Sequence, residues 1–154
     1  MDKDLLFRLA TKDDLYDIVQ MLSDDPLGAL REKMATTLSD RYIKAFDAIQ
    51  ADPNQELTIV ELAGEKVATF QLTFIQYLTY QGGLRAQIEA VRTKSAYRGQ
   101  GIGTKMVDYA IKRAKEKGCH LLQLTSDKKR PEAIRFYESL GFAATHEGMK
   151  LKLD

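Results

Sequence analysis

Several residue types are scarce in this sequence, and each scarcity narrows the field. One cysteine, Cys119, stands in 154 residues, so no intramolecular disulfide can form and a reducing, cytoplasmic setting is expected. Two histidines, His120 and His146, with no second cysteine, give zinc too poor a ligand set for a metal site to be expected. Charge of one sign is not in excess: 23 basic against 22 acidic residues leave +1. That withholds the global field that draws proteins onto nucleic acid, so no nucleic-acid partner is expected and any anion site must be local. No apolar run approaches membrane-spanning length, and Met1-Asp2-Lys3-Asp4 does not resemble a secretory leader, so no membrane partner is expected. Repeats, low-complexity tracts and linkers are missing too, and residues 1–154 read as one continuous domain.

What is present is a succession of short periodic segments. Leu5–Ala10 reads as a strand, and Thr11 with Asp14 as a variant capping box. Leu15, Ile18, Val19 and Leu22 then share a helical face that must end near Ser23-Asp24-Asp25-Pro26. Residues 28–51 are less decided: a helix from about Ser39 places Tyr42, Ile43, Phe46 and Ile49 together, while Arg31–Leu38 is helix or loop. Leu57–Leu62, Val67–Tyr80 and Leu84–Thr93 read as three antiparallel strands joined by Ala63–Lys66 and Gln81-Gly82-Gly83. A helix with the stripe Met106, Val107, Ala110, Ile111 and Ala114 stops at Gly118. It leads into Leu121–Thr125, expected parallel to Leu84–Thr93. Pro131 opens a last helix that buries Ala133, Ile134, Phe136, Tyr137 and Leu140 and stops at Gly141. Two short strands, Phe142–Thr145 and Met149–Leu153, complete the series. The expected class is α+β, an α/β sandwich whose mixed sheet begins antiparallel and contains a β-α-β crossover.

Chemistry concentrates at Arg98-Gly99-Gln100-Gly101-Ile102-Gly103. Three alternating glycines at a helix mouth exceed what a turn needs, and they suit backbone amides that approach an anion closely. The phosphate loop of nucleotide hydrolases and the dinucleotide fingerprint both fail on spacing, because Thr104 stands where each needs glycine. In the preceding strand Ala86, Ile88 and Ala90 alternate with Arg85, Gln87 and Glu89. The polar row runs straight into the glycine loop, which makes Glu89 a candidate general base.

The loop matches the pattern Gln/Arg-x-x-Gly-x-Gly/Ala, and Ala133-Ile134-Arg135-Phe136-Tyr137-Glu138-Ser139-Leu140-Gly141-Phe142 matches Ala-x-x-Phe-Tyr-x-x-x-Gly-Phe. With these two blocks the sequence resembles the GNAT superfamily of N-acetyltransferases. The resemblance implies a GNAT-like mixed central sheet whose splayed parallel strands hold acetyl-CoA. The diphosphate would lie on the amides of Gly99, Gln100, Gly101, Ile102, Gly103 and Thr104, with Arg98 positioning the loop or serving the phosphates. The pantetheine arm would pair along Val91, Arg92 and Thr93, with the backbone amide of Val91 or its neighbour as oxyanion donor. Ala133 and Phe136 would border the cofactor, and Tyr137 would be the general acid. Arg130 stands where many members carry Asn, as a phosphate contact or a solvated side chain.

The implied reaction is direct acetyl transfer to a primary amine, on a small molecule or a protein. A non-catalytic acyl-CoA-binding or regulatory module is the alternative. Asp24, Asp25, Glu32, Asp40 and Asp47 either attract a cationic acceptor or are a solvated face. Tyr77, Leu78 and Tyr80 hint at a homodimer contact. Cys119 and His120 read as structural, His146 as structural or lining the acceptor pocket, and Lys128-Lys129-Arg130 as a solvated loop or a contact for a 3′-phosphate.

Overall fold

The computed structural model describes residues 4–154. Five strands lie in sequence order across one mixed sheet: β1 (Leu5–Leu9), β2 (Gln55–Leu62), β3 (Glu65–Gln76), β4 (Leu84–Thr93) and β5 (Leu121–Gln123). The first four are antiparallel neighbours, and β5 is parallel to β4. A sequence-order sheet is what short connections produce, and only the β4–β5 link needs a crossover helix. The chain forms two compact units, one ending at Gln123 and the other Leu124–Asp154.

The helices of the first unit are α1 (Leu15–Ser23), α2 (Pro26–Arg31), α3 (Asp40–Ala51), the single turn α4 (Thr79–Gly82) and α5 (Ile102–Glu116). Pro26 does more than stop α1. It opens α2, with the Asp25 carboxylate accepting the Gly28 amide as an N-cap. Residues 32–39 are not helical, and α3 begins after Ser39, as its periodicity predicts.

Two apolar layers follow from strand alternation. On one face Phe70, Leu72, Phe74, Ala86 and Ile88 are buried, and α5 covers them with Met106, Val107 and Ala110. There Phe7 stacks on Tyr109 at 4.5 Å, and Phe70 meets it edge-on at 6.1 Å. On the other face Ile59 packs with Leu15, Ile18, Val19 and Met21 of α1 and Phe46 of α3. Beside this core lies Asp14, 1% exposed. Its carboxylate accepts from the Arg8 guanidinium at 2.7 and 2.9 Å, from the Thr11 amide at 2.7 Å and from Lys66 at 2.9 Å.

Four strand expectations need correction. β3 ends at Gln76, because Tyr80 and Gln81 turn left-handed (φ 53° and 57°) with Gly82 (φ 75°), a path that leaves no ladder. β5 ends at Gln123 rather than Thr125. In the second unit, Phe142–Thr145 and Met149–Leu153 are not strands. Met149, Leu151 and Leu153 are 92%, 86% and 87% exposed. Their composition suits a strand, but a strand also needs a partner edge, which composition does not specify.

Candidate active site

β4 begins as a regular strand and ends as something else. Gln71 of β3 pairs with Glu89, yet Thr69 pairs with Arg92, so β4 carries one residue too many across Phe70. The extra residue shows in the backbone: Ala90 has φ 54°. This β-bulge breaks the alternation that the sequence suggests, and Ala90 does not continue the Ala86–Ile88 row. On the other side of β4 the ladder to β5 stops after Gln87–Gln123. Beyond that pair the β4 edge through Glu89, Val91, Arg92 and Thr93 has no strand partner among the described residues. A bulge beside an unpaired edge leaves backbone groups available to an extended, amide-bearing guest.

The chain then passes through a short 3₁₀ turn, Ser95–Tyr97, into the glycine loop. Gly99 (φ 76°) and Gly101 (φ 82°) are left-handed, and Gly101 caps α5. Gly103 is different. It sits in the first turn of α5, where glycine is not conformationally required. The first helical bond of α5 runs from the Lys105 amide to Gly101, so the amides of Ile102, Gly103 and Thr104 have no partner within the helix. Ile102 itself is buried, and its side chain belongs to the core. These amides and the bare glycines fit a diphosphate.

Arg98 is tied to the end of β4 and to the exit of α1. Its Nε donates to the Thr93 carbonyl and its Nη2 to the Asp24 carbonyl, each at 3.1 Å, and it pairs with the Asp24 carboxylate at 3.6 Å. Two more ion pairs tie the end of β4 to α1 and its exit: Arg92–Asp25 and Lys94–Asp17, both at 3.7 Å. Of the acidic residues considered for attracting a cation, Asp24 and Asp25 are therefore paired. Asp47 meets Lys12 at 3.4 Å, and Glu32 accepts from the Tyr42 hydroxyl at 3.0 Å.

Glu89 is exposed, and its carboxylate accepts from Gln87 Nε2. Gln87 in turn accepts from Gln123 Nε2 at 2.9 Å, and Gln123 from Arg85 Nη1 at 3.3 Å. The sequence shows the polar row of β4 but not Gln123, which joins it only through strand register. Tyr77 and Tyr80 flank Arg85, with its guanidinium 4.4 and 5.0 Å from their ring centroids. His120 is exposed and stacks on Tyr80 at 5.2 Å. Burial raises the Cys119 thiol above its ordinary value, which suits a packed residue rather than a nucleophile.

In the second unit α6 (Pro131–Ser139) follows Arg130. Ala133, Phe136, Tyr137 and Leu140 line one side of it, half-buried rather than fully enclosed. The Tyr137 ring is edge-on to Phe136 at 5.1 Å and to Phe142 at 5.7 Å. These contacts fix the ring between two aromatic neighbours.

A family model described as the acetyltransferase (GNAT) family matches residues 15–142. The chain belongs to that family. A solved GNAT-fold relative from Bacillus halodurans, described as a transcriptional regulator, is 53% identical with a TM-score of 0.94, covering 97% of this chain and 100% of its own. A predicted acetyltransferase with acetyl-CoA from Clostridium acetobutylicum is 25% identical with a TM-score of 0.74, covering 97% of this chain and 96% of its own. Among curated relatives, the aminoalkylphosphonate N-acetyltransferase of Salmonella typhimurium is 29% identical over 66% of this chain and 65% of its own length. The thialysine N-epsilon-acetyltransferase of Bos taurus is 29% identical over 68% of each. This GNAT chain thus spans about two thirds of the length of both.

Proposed function

We propose that this protein is an acetyl-CoA-dependent N-acetyltransferase acting on a primary amine, of a small molecule or a protein, by direct attack in a ternary complex. One observation carries the reading: α5 amides with no partner within the helix and bare glycines follow on a bulged β4 whose edge beyond Gln87 lacks a strand partner among the described residues. The first feature suits a diphosphate and the second an amide-bearing arm, the two chemistries that coenzyme A joins in one molecule.

Gly99, Gln100, Gly101, Ile102, Gly103 and Thr104 hold the diphosphate through backbone amides, and Arg98 fixes the loop that presents them. Val91, Arg92 and Thr93 hold the arm, and the Val91 amide faces the developing oxyanion. The family resemblance adds Arg130, Ala133 and Phe136 of the second unit as candidate cofactor contacts. Acetyl-CoA supplies an activated acyl carbonyl. Glu89 takes a proton from the acceptor ammonium through a water, which frees the lone pair for attack. Tyr137 Oη gives a proton to the departing sulfur.

The relatives named for aminoalkylphosphonate and thialysine acetylation support an amine acceptor. A regulatory acyl-CoA-binding module is the second reading, favoured by the description of the Bacillus relative. Calorimetry with coenzyme A, followed by thiol release across a panel of amines, tests both. Binding with turnover supports the transferase, binding without turnover supports the module, and no binding removes both.

A further inference from the structure

The hydrogen bonds that end on Glu89 form a chain with only one allowed direction. Arg85 can only donate, and a carboxylate can only accept. Two glutamines stand between them, each with one oxygen to receive and one nitrogen to give. The ends therefore fix both amide orientations: Arg85 Nη1 to Gln123 Oε1 at 3.3 Å, Gln123 Nε2 to Gln87 Oε1 at 2.9 Å, and Gln87 Nε2 to Glu89 Oε1. Every N–H dipole points towards the carboxylate, so each bond strengthens the next.

The chain is anchored at its far end as well. Arg85 lies against Tyr77 and Tyr80, and its Nε is shielded from solvent without a hydrogen-bond partner. The rings leave the guanidinium little freedom, which aims Nη1 at Gln123. Gln87 and Gln123 are directly opposed at the last pair of the β4–β5 ladder. Their backbones are thus held at the separation that the side-chain bond requires. Gln71, opposite Glu89 across the β3–β4 ladder, donates instead to Gln55 at 2.6 Å. The orienting donor for Glu89 consequently comes from its own strand, two residues back.

We propose that Gln87 and Gln123 are positioning residues for the reaction, relaying the fixed guanidinium of Arg85 onto the Glu89 carboxylate and holding it in one rotamer for proton removal. This rests on the assignment of Glu89 as the base. An exposed carboxylate without such a tether samples several rotamers, and a base that is seldom aligned is a slow one.

The test uses Gln87→Met and Gln123→Met, which keep side-chain length but remove the relay, and Gln123→Glu, which still accepts from Arg85 but cannot donate to Gln87. Calorimetric binding of coenzyme A to each variant confirms an intact fold. Each should lose about tenfold in kcat while acceptor KM and cofactor affinity stay within about twofold. Added to Glu89→Gln, none should cost anything further, because the group it positions is gone. If Glu89→Gln lowers kcat at least about tenfold but all three variants stay within about twofold of the parent, the relay is overturned and the base assignment stands. If Glu89→Gln leaves kcat unchanged, the base assignment falls and the relay with it, while cofactor binding still reports on the transferase reading.

Discussion

Asp14 is sealed from solvent yet ionised, because the Arg8 guanidinium, the Thr11 amide and Lys66 surround it and hold its carboxyl far below the usual carboxylate range. A carboxyl depressed in the folded state stabilises the fold fully above its unfolded value. That contribution fades as pH falls below about 4 and towards the folded value, so acid should loosen the junction of β1, β3 and the start of α1. Asp14→Asn should cost about 3 kcal/mol at neutral pH, since Arg8 and Lys66 would lose their shared counter-charge. Urea unfolding at pH 7 and pH 3 checks both parts: the gap between parent and variant should narrow in acid. Tyr137 makes a kinetic counterpart. Its ring is held by Phe136 and Phe142, so Tyr137→Phe should keep the packing. Steady-state assays should show kcat lowered by at least about tenfold with coenzyme A affinity unchanged.

Among the elements, α5 and β4 trade stability against chemistry in opposite ways. Gly103 lies inside the first turn of α5, where alanine is the better helix former. Gly103→Ala should therefore raise the melting temperature, with up to about 1 kcal/mol gained, while calorimetry records weaker coenzyme A binding as the new methyl crowds the helix mouth. Ala90 is the reverse case, an L-residue held at φ 54°. Ala90→Gly should stabilise the bulge by about 1 kcal/mol in thermal melts.

These two elements also show what a reader of the sequence can and cannot obtain. The bounds of Leu84–Thr93 follow from composition and flanking glycines, and the structure matches them. The bulge does not, because Ala90 continues an apolar-polar alternation perfectly on paper and is displaced only by pairing with β3. Gly99 and Gly101 announce a turn by residue type alone, whereas the grip of Arg98 on Asp24 spans 74 residues and needs the folded corner. Gln123 has no local signal at all. The left-handed path at Tyr80 and Gln81 also lacks one, since neither residue favours that backbone region.

For the whole molecule, a net charge of +1 means that a polyanionic cofactor is drawn in only by local groups. Three cations that precede the glycine loop, Arg92, Lys94 and Arg98, are each paired with an aspartate of α1 or its exit, while Lys105 follows the loop in the first turn of α5. If amides rather than these side chains carry the grip, short hydrogen bonds are screened less than attraction between separated charges. Coenzyme A affinity should fall by less than about tenfold as salt rises from about 0.05 to about 0.3 M, measured by calorimetric titration. A steeper loss would mean that those arginines and Lys94 abandon their aspartates for the ligand.

The ladder between β4 and β5 is three residue pairs long, and its final rung, Gln87–Gln123, also carries the side-chain bond that reaches Glu89. The last rung of the ladder is thus joined to the Glu89 carboxylate. A force that parts β4 from β5 would stretch that rung and slacken the carboxylate. If Glu89 is the base, the seating of this short ladder would set how ready it is.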